Sequence, residues 1–291
     1  MTKLTLGPIL FNWEYERKRD FYYKIADEAP VDTVYIGEVV CSKRIPFFEP
    51  YLEKIIDRLQ KSGKNVIYST LALLLTNKEL EQLRSFISGK SPLLIEANDM
   101  AGISLLQGKP HHIGPYVNVY NELTLSYLAN RGAIQITLPP ELPKTSLEVM
   151  AAAKIPCELE VQVFGRFPLS ISARCSHARA YGLHKHNCRY ICHEDSDGME
   201  VQTLDHQPFL SINGSQTLSY PYGNLLNKIS DIKKMGIQHF RLSPQGKHMV
   251  EVAQLFRDVI DERRDPTSAT ENLFHLYPEV TFSGFDIPPA G

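Results

Sequence analysis

The chain lacks the features that mark membrane-spanning, secreted and nucleic-acid-binding proteins. Its most apolar stretch, Leu71–Leu75, is far shorter than the roughly 18 residues that a membrane-spanning helix needs. The N-terminal residues carry no apolar signal segment, so we expect a cytoplasmic protein. The formal net charge is only −2. This disfavours a nucleic acid or an anionic membrane as a partner held by bulk electrostatics.

Motifs for nucleotide binding and hydrolysis are also missing. The sequence has no Gly-rich phosphate loop, no dinucleotide fingerprint and no His-Glu-x-x-His metal helix. The spacing of its residues does not assemble a Ser/His/Asp or Cys/His hydrolase. There are only five cysteines, and in a reducing compartment we expect them to be free thiols or metal ligands rather than disulfides.

Short apolar and β-branched runs alternate with helix-like segments along the chain. Thr76 and Glu79 form a candidate capping box before one of these helices, and Met249, Val252, Phe256 and Val259 have helical spacing in another. Eight strands alternating with helices predict a (β/α)₈ TIM-like barrel, with an open doubly wound sheet as the alternative. The predicted strands are Leu4–Phe11, Thr33–Gly37, Asn65–Leu71, Pro92–Ala97, His112–Val119, Ala133–Leu138, Cys157–Phe164 and Ile237–Leu242.

One long insertion interrupts the regular alternation. It follows strand seven, covers about residues 165–220, and contains three of the five cysteines. Within it, Phe209–Asn213 and Gly214–Leu218 predict a hairpin that turns at Asn213-Gly214. In a barrel, the loops after strands build the active-site face. We therefore expect a single barrel domain over residues 1–262, a Cys-rich insertion on its functional face, and a loose C-terminal extension over residues 263–291.

The predicted strands divide the cysteines into two groups. Cys41 follows strand two, and Cys175, Cys188 and Cys192 follow strand seven, so these four can meet at the C-terminal end of the barrel. Cys157 begins strand seven and lies about 23 Å away at the opposite end. Four converging thiolates are the ligand set of an iron–sulfur cluster or of a structural zinc ion.

The residues alone leave three interpretations of the four cysteines open. A buried cysteine can be simply a small hydrophobic residue. For zinc, a histidine could replace one thiol, and His177, His184, His186 and His193 lie among them. Structural zinc sites usually show two close Cys pairs, whereas only Cys188 and Cys192 are close here. The spacing therefore favours iron–sulfur slightly over zinc.

Polar residues at the ends of predicted strands are further candidates. Glu38 ends strand two, Glu96 ends strand four and Arg241 lies in strand eight, and we take these three as candidate catalytic residues. Helix capping is the alternative role for Asn98, Asp99 and Asn121. Asn118, at the end of strand five, is a further candidate. Three arginines flank the thiols and could stabilise an anionic cluster or bind an acidic substrate: Arg174, Arg179 and Arg189.

Several segments resemble the collagenase-like peptidase family, whose members are barrel proteins. The residues from Glu158 to Cys175 are similar to the family signature. The match is closer to one branch, the accessory factors of oxygen-independent ubiquinone biosynthesis, and it runs from about Leu4 to Gln245. The segments that carry it are Val34–Arg44, Leu94–Asp99, Asn118–Asn121, Ser172–Ala180 and Arg241–Gln245. The Cys-Ser-Lys-Arg and Ala-Arg-Cys motifs within them are quite specific.

This resemblance implies a cofactor, a partner and a reaction. It implies a 4Fe–4S cluster on Cys41, Cys175, Cys188 and Cys192, and a heterodimer with a paralogous barrel protein. The implied activity is O₂-independent hydroxylation at C6 of the ring of a ubiquinone precursor, with prephenate as the oxygen donor and a lipid-binding protein delivering the precursor. Phe164 and Pro168 stand where the family signature usually has a His and a Cys, which counts against a cysteine peptidase. A family peptidase and a zinc-braced scaffold remain the alternatives.

Overall fold

Eight parallel strands close into a barrel in the computed structural model, which describes residues 2–89, 93–278 and 280–282. The last barrel strand, β11, pairs in parallel with both β7 and β1, and this closes the ring. The barrel strands are β1 (Lys3–Leu6), β2 (Thr33–Gly37), β3 (Asn65–Ser69), β4 (Leu94–Ala97), β5 (His111–Ile113), β6 (Ala133–Leu138), β7 (Glu158–Ile171) and β11 (His239–Leu242). The predicted (β/α)₈ barrel is confirmed.

Helices follow the strands and cover the outside of the barrel, except for α7, which lies in the insertion. They are α1 (Tyr15–Glu28), α2 (Ile45–Lys61), α3 (Asn77–Ser88), α4 (Met100–Leu105), α5 (Glu122–Ala129), α6 (Lys144–Ala152), α7 (Ser176–Ala180), α8 (Ile229–Lys234), α9 (Met249–Ile260) and α10 (Pro266–Leu276). The predicted capping box begins α3, where Glu79 N donates to Thr76 Oγ1 at 3.2 Å and Thr76 N donates to Glu79 Oε2 at 2.9 Å. Over the described residues, no helix has the length and apolar character needed to cross a membrane.

Prolines explain where two strands end earlier than predicted. Strand β1 was expected to reach Phe11 but stops at Leu6, because Pro8 has no N–H to donate to a neighbouring strand. Strand β5 ends at Ile113 because Pro115 begins a 3₁₀ turn, Pro115–Val117. Strands β2 and β6 have the predicted bounds. Pro92, the predicted start of strand four, lies outside the described residues.

The insertion extends the barrel sheet beyond the ring. Strand β7 continues past the barrel and pairs antiparallel with β10 (Gln216–Asn224), which pairs with β9 (Pro208–Asn213), and β9 pairs with β8 (Met199–Gln202). The predicted hairpin is present, but it turns at Gly214-Ser215, one residue later than expected, because Asn213 still pairs with Gln216. Gly214 has φ +73, which suits a glycine in a two-residue turn.

The segment after Glu262, expected to be loose, contains ordered elements. Helix α10 buries Ala269 and Leu273, and Tyr277 beyond it is also buried. A short strand, β12 (Val280–Phe282), pairs with β10. Apolar residues of α10 thus join the core of the barrel. Residues 283–291 of the predicted extension lie outside the described residues.

Candidate metal centre

Four cysteines line one cavity at the C-terminal end of the barrel. We call it the sulfur cavity, and it lies between the segment that follows β2 and the segments that follow β7 and β9. Its lining residues are Cys41, Lys43, Arg44, Cys175, Lys185, Cys188, Tyr190, Ile191, Cys192, Gly214 and Ser215. Residues far apart in the sequence therefore meet here, because these segments lie at the same end of the barrel.

Glu38 fixes the first of these cysteines. The backbone N–H groups of Val40 and Cys41 donate to Glu38 Oε1 at 2.9 and 3.1 Å. The same carboxylate lies 3.8 Å from Arg44 Nη1 and 3.9 Å from Lys18 Nζ. Burial lowers the pKa of Lys18 to about 8, although Glu38 opposes this shift. These contacts of Glu38 support the turn that carries Cys41.

The other three cysteines lie in the insertion. Cys175 precedes α7, and its Sγ accepts a hydrogen bond from the Ala178 backbone N–H at 3.4 Å. Cys188 and Cys192 are both buried. A spacing of four fits one turn of helix, but Arg189 and Tyr190 between them have φ of 50 and 57. The chain therefore makes a left-handed bend there before a 3₁₀ turn that contains Cys192.

Nitrogen donors point at the sulfurs. Lys43 Nζ lies 3.6 Å from Cys188 Sγ. Cys192 Sγ lies 3.3 Å from Asn12 Nδ2 and 3.5 Å from Arg44 Nη2. Arg44 is only 2% exposed, so its charge is held inside the protein. The cations in the lining are Lys43, Arg44 and Lys185, and none of the flanking arginines singled out in the sequence (Arg174, Arg179 and Arg189) is among the lining residues.

The lining offers four cysteine thiols, and four thiolates are the ligand set of a 4Fe–4S cluster and also of a structural zinc ion. Within the described ranges, no three Cys, His, Asp or Glu side chains form a group that could hold a metal ion. The chemistry of these four residues suits a thiolate-bound metal group. Burial raises the pKa of Cys41 and of Cys175, while Arg44 opposes the shift in both. Metal binding there would displace thiol protons.

The nearby histidines have other contacts. His177 Nε2 lies 2.9 Å from Asp195 Oδ2, and His193 Nε2 lies 3.1 Å from Glu194 Oε1. His184 and His186 are exposed. None of the four lines the sulfur cavity. A mixed cysteine–histidine zinc site therefore has no histidine ligand in this lining.

Cys157 lies in a different cavity from the other four. That cavity is at the N-terminal end of β7, where Met150, Met235 and His239 are also part of the lining. Burial, with Glu158 adding to it, raises the pKa of Cys157 to about 11. This thiol is consequently neutral near pH 7 and distant in the fold from the sulfur cavity.

A buried ion network occupies the centre of the barrel. Arg241 Nη2 lies 2.6 Å from Glu96 Oε1, and Arg241 Nε donates to Glu160 Oε2 at 2.7 Å. Both glutamates are 0% exposed. Hydroxyl groups complete the pairing: Ser69 donates to Glu96, and Thr5 and Thr137 donate to Glu160, at 2.6 to 2.7 Å. Every carboxylate oxygen of the network therefore has a hydrogen-bond donor, although one arginine faces two carboxylates.

Glu160 was not among the candidate residues. No local signal indicated its burial, because Glu160 alternates with apolar residues on the same side of β7 as Glu158 and Gln162, a pattern typical of a solvent-facing side. Burial tends to raise the pKa of Glu160, but Arg241 with Thr5 and Thr137 outweighs this and holds the pKa below its ordinary value.

Aromatic and amide groups lie beside this network. The Arg241 guanidinium lies 4.0 Å from the centre of the Tyr35 ring. The Tyr35 hydroxyl accepts from Gln135 Nε2 at 2.8 Å and lies 3.0 Å from His112 Nδ1. Burial lowers the pKa of His112 to about 4, so this imidazole is neutral near pH 7.

Several strand-end candidates have structural contacts. Asp99 caps α4 by accepting from Ala101 N and Gly102 N, and Asn121 caps α5 by accepting from Thr124 N. Asn98 Nδ2 donates to the Thr70 carbonyl at 3.0 Å. Asn118 has φ 58 and ends the 3₁₀ turn after β5.

Comparisons with known proteins identify both a family and a fold. The model for peptidase family U32 matches residues 18–282. Among solved structures, N-acetylneuraminate lyase from Fusobacterium nucleatum, complexed with pyruvate, is similar with a TM-score of 0.51 and 12% identity, covering 94% of this chain and 81% of that chain. A tryptophan synthase complex from Pyrococcus furiosus has a TM-score of 0.43 and 12% identity, with 96% and 100% coverage. At such identities the lyase shows a shared fold alone.

Proposed function

The chain belongs to peptidase family U32, and on that basis we propose that it is an iron–sulfur protein of the UbiV branch. In this proposal it acts with a UbiU-like paralogue as an accessory subunit for O₂-independent hydroxylation at C6 of the ring of a ubiquinone precursor. The observation that carries the proposal is a cavity lined by four cysteines, with nitrogen donors at their sulfurs. The segments that resemble this branch supply the choice of reaction.

The four cysteines and the nitrogen donors beside them have separate roles in this proposal. Cys41, Cys175, Cys188 and Cys192 would hold a 4Fe–4S cluster, which supplies one-electron chemistry or a Lewis-acidic iron when it is bound. Lys43, Arg44 and Asn12 donate towards the sulfurs, and hydrogen bonds of this kind stabilise the anionic charge of a thiolate-bound cluster. Arg44 also donates to Asn213 Oδ1 at 2.9 Å, which joins the cavity wall to the hairpin of the insertion.

The reaction requires further components, which are also part of the proposal. The paralogue completes a heterodimer, prephenate supplies the oxygen, and a lipid-binding protein delivers the precursor to a cytoplasmic complex. The chain is then one component of a hydroxylase rather than a complete enzyme. Glu38, Glu96 and Arg241 stay candidate catalytic residues, although their contacts favour supporting roles: Glu38 binds the Cys41 turn, and Glu96 and Arg241 bind each other.

Peptidase activity is the less favoured alternative within the family. Phe164 stands where the signature usually has a histidine. It is 0% exposed and its ring stacks on Tyr222 with an interplanar angle of 5°. A phenyl ring packed in the core cannot act as a proton acceptor. Pro168 stands where the signature usually has a cysteine, so that position offers no nucleophile.

Anaerobic purification followed by metal analysis tests the proposal. We expect iron and acid-labile sulfide in equal amounts, and a broad visible absorption that bleaches in air. Stoichiometric zinc without sulfide would overturn the cluster. The reaction is tested separately, by restoring anaerobic ubiquinone synthesis in cells that lack the gene, and cleavage of gelatin by the pure protein would favour the peptidase instead.

A further inference from the structure

A second cavity lies next to the sulfur cavity, between α2 and α3 at the C-terminal ends of β2 and β3. We call it the α2–α3 groove. It encloses about 540 Å³, within the range of roughly 300–1,000 Å³ that is typical of small-molecule sites. Its apolar lining consists of Ile45, Pro46, Leu71, Leu74, Leu83 and Phe86. Its size and lining suit a ring-sized apolar ligand.

Two polar groups in the groove lack hydrogen-bond partners in the part of the chain that the structure describes. Glu38 is only 7% exposed, and its Oε1 accepts two backbone N–H groups. Its Oε2 accepts no hydrogen bond, and Lys18 Nζ is 3.9 Å away. The Tyr68 hydroxyl also makes no hydrogen bond, and burial raises the pKa of Tyr68 to about 12. A buried acceptor and a protonated hydroxyl therefore face a ligand-sized space.

The charges around the groove select against anions. Four glutamates line it, Glu38, Glu49, Glu79 and Glu81, whereas Lys78 is the cation that lines it among the described residues; Lys18 and Arg44 lie beside Glu38 without lining the groove. Glu79 is already engaged in the α3 capping box and accepts from Ser42 Oγ at 2.5 Å. A carboxylated ligand would meet repulsion here, while a neutral ligand that donates a hydrogen bond would be attracted to Glu38.

One short segment separates the groove from the sulfur cavity. Ser42 lines the groove, whereas its neighbours Cys41 and Lys43 line the sulfur cavity. Glu38 belongs to both sides, because it lines the groove and accepts from the Cys41 N–H. A ligand in the groove would therefore lie across a single turn of chain from the cysteines.

We propose that the α2–α3 groove binds the ring substrate as a neutral phenol, with no carboxylate on the ring. This assignment rests on the proposed function and specifies which subunit holds the ring. The phenol hydroxyl donates to Glu38 Oε2, Tyr68 donates to a ring oxygen, and the apolar wall contacts the ring and its alkyl substituent. Glu38 and Tyr68 are positioning residues in this assignment.

Equilibrium dialysis under argon, on the anaerobically purified protein with its partner if the two copurify, tests the assignment. The probes are 2-allylphenol and its carboxylated counterpart, 3-allyl-4-hydroxybenzoate. We expect the phenol to bind about tenfold more tightly than the benzoate, a difference of the size that one unfavourable charge contact produces. No binding of the phenol, or equal binding of both probes, would overturn the assignment.

Variants of this chain locate the binding site. Leu74→Trp fills the groove and should weaken phenol binding about tenfold. The matched control is Leu75→Trp, because Leu75 is 42% exposed and does not line the groove. Tyr68→Phe keeps the ring but removes the hydroxyl, and should weaken binding about fivefold. Unchanged binding in both Leu74→Trp and Tyr68→Phe would place the phenol elsewhere and refute the proposal.

Iron content separates this inference from the proposed function. Both groove variants should retain the iron and the visible spectrum of the wild type, since none of the altered side chains lines the sulfur cavity. A protein that holds iron but does not bind the phenol refutes the groove assignment alone. A protein without iron and sulfide that still binds the phenol refutes the cluster and leaves the groove as a ligand site.

Discussion

The barrel centre and the sulfur cavity both place charged groups inside the protein, but the charged groups of the barrel centre face one another, whereas those of the sulfur cavity also face thiols. At the centre, Arg241 contacts Glu96 and Glu160, and three hydroxyls donate to the two carboxylates. In the sulfur cavity, cations and an amide point at thiols that are neutral when protonated. A buried cation beside a neutral thiol gains much less than one beside a thiolate.

This difference indicates what each region is for. Removing one partner from a buried ion network is costly, because it leaves an uncompensated charge inside the protein. Arg44, the buried cation at the sulfurs, has Glu38 at 3.8 Å, and both Arg44 and the half-buried Lys43 gain a further ionic partner when the sulfurs carry negative charge, as metal-bound thiolates do. We therefore interpret the barrel centre as structural and the sulfur cavity as functional, and the following predictions test that contrast.

Removing the central arginine should have the largest effect on stability. Arg241→Ala leaves two carboxylates, each 0% exposed, without their cation. We expect a loss of about 3–5 kcal/mol in the free energy of unfolding, measured with urea. Arg84→Ala, which removes an exposed pair with Glu81, should cost less than about 1 kcal/mol. Equal losses in the two variants would contradict a structural barrel centre.

Acid should destabilise the barrel centre through His112. Its folded pKa of about 4 lies below the ordinary value of 6.5. Between these two values the unfolded chain binds a proton that the folded chain does not, so stability falls as the pH falls from 6.5 to 4. The contribution is on the order of 3 kcal/mol. This loss of stability is absent above pH 6.5, where the His112 imidazole is neutral in both the folded and the unfolded chain.

The variant His112→Asn should reduce this acid sensitivity, while His275→Asn on the exposed face of α10 should leave it unchanged. The measurement is the free energy of unfolding at a series of pH values for all three proteins. If the wild type and His112→Asn show the same slope between pH 6.5 and 4, burial of a neutral imidazole is not the cause.

A smaller effect is expected from a cation of the sulfur cavity. Lys43→Met removes a charge 3.6 Å from Cys188 Sγ. If a cluster is bound, its reduced form loses more stabilisation than its oxidised form, so the reduction potential should fall by on the order of 50 mV. Anaerobic redox titration measures this shift. Lys54→Met, on the exposed side of α2, is the control and should leave the potential unchanged.

Local sequence signals predicted much of the fold. Strands β2 and β6 have their predicted bounds, and Thr76 with Glu79 caps α3, because alternation and capping depend on neighbouring residues. The proximity of Cys41 to the insertion cysteines also follows from topology, since the segments after parallel strands all leave one end of a barrel.

Contacts between distant segments could not be predicted in this way. Glu160 pairs with Arg241, 81 residues further along the chain, and no local pattern links them. The donors in the sulfur cavity are Lys43 and Arg44 rather than the flanking arginines, because the conformation of an irregular loop is fixed by packing and not by periodicity. The α2–α3 groove likewise forms between two helices whose separation depends on the whole barrel.

The most direct test of the contrast is the iron content of five single cysteine variants. Cys41→Ala, Cys175→Ala, Cys188→Ala and Cys192→Ala should each lose most of the iron and sulfide of the anaerobic protein. Cys157→Ala should keep both, because this residue lines a cavity at the other end of β7, and its cost should be packing alone, about 1 kcal/mol. Full iron in any of the first four variants, or loss of iron in Cys157→Ala, would contradict the assignment of the sulfur cavity.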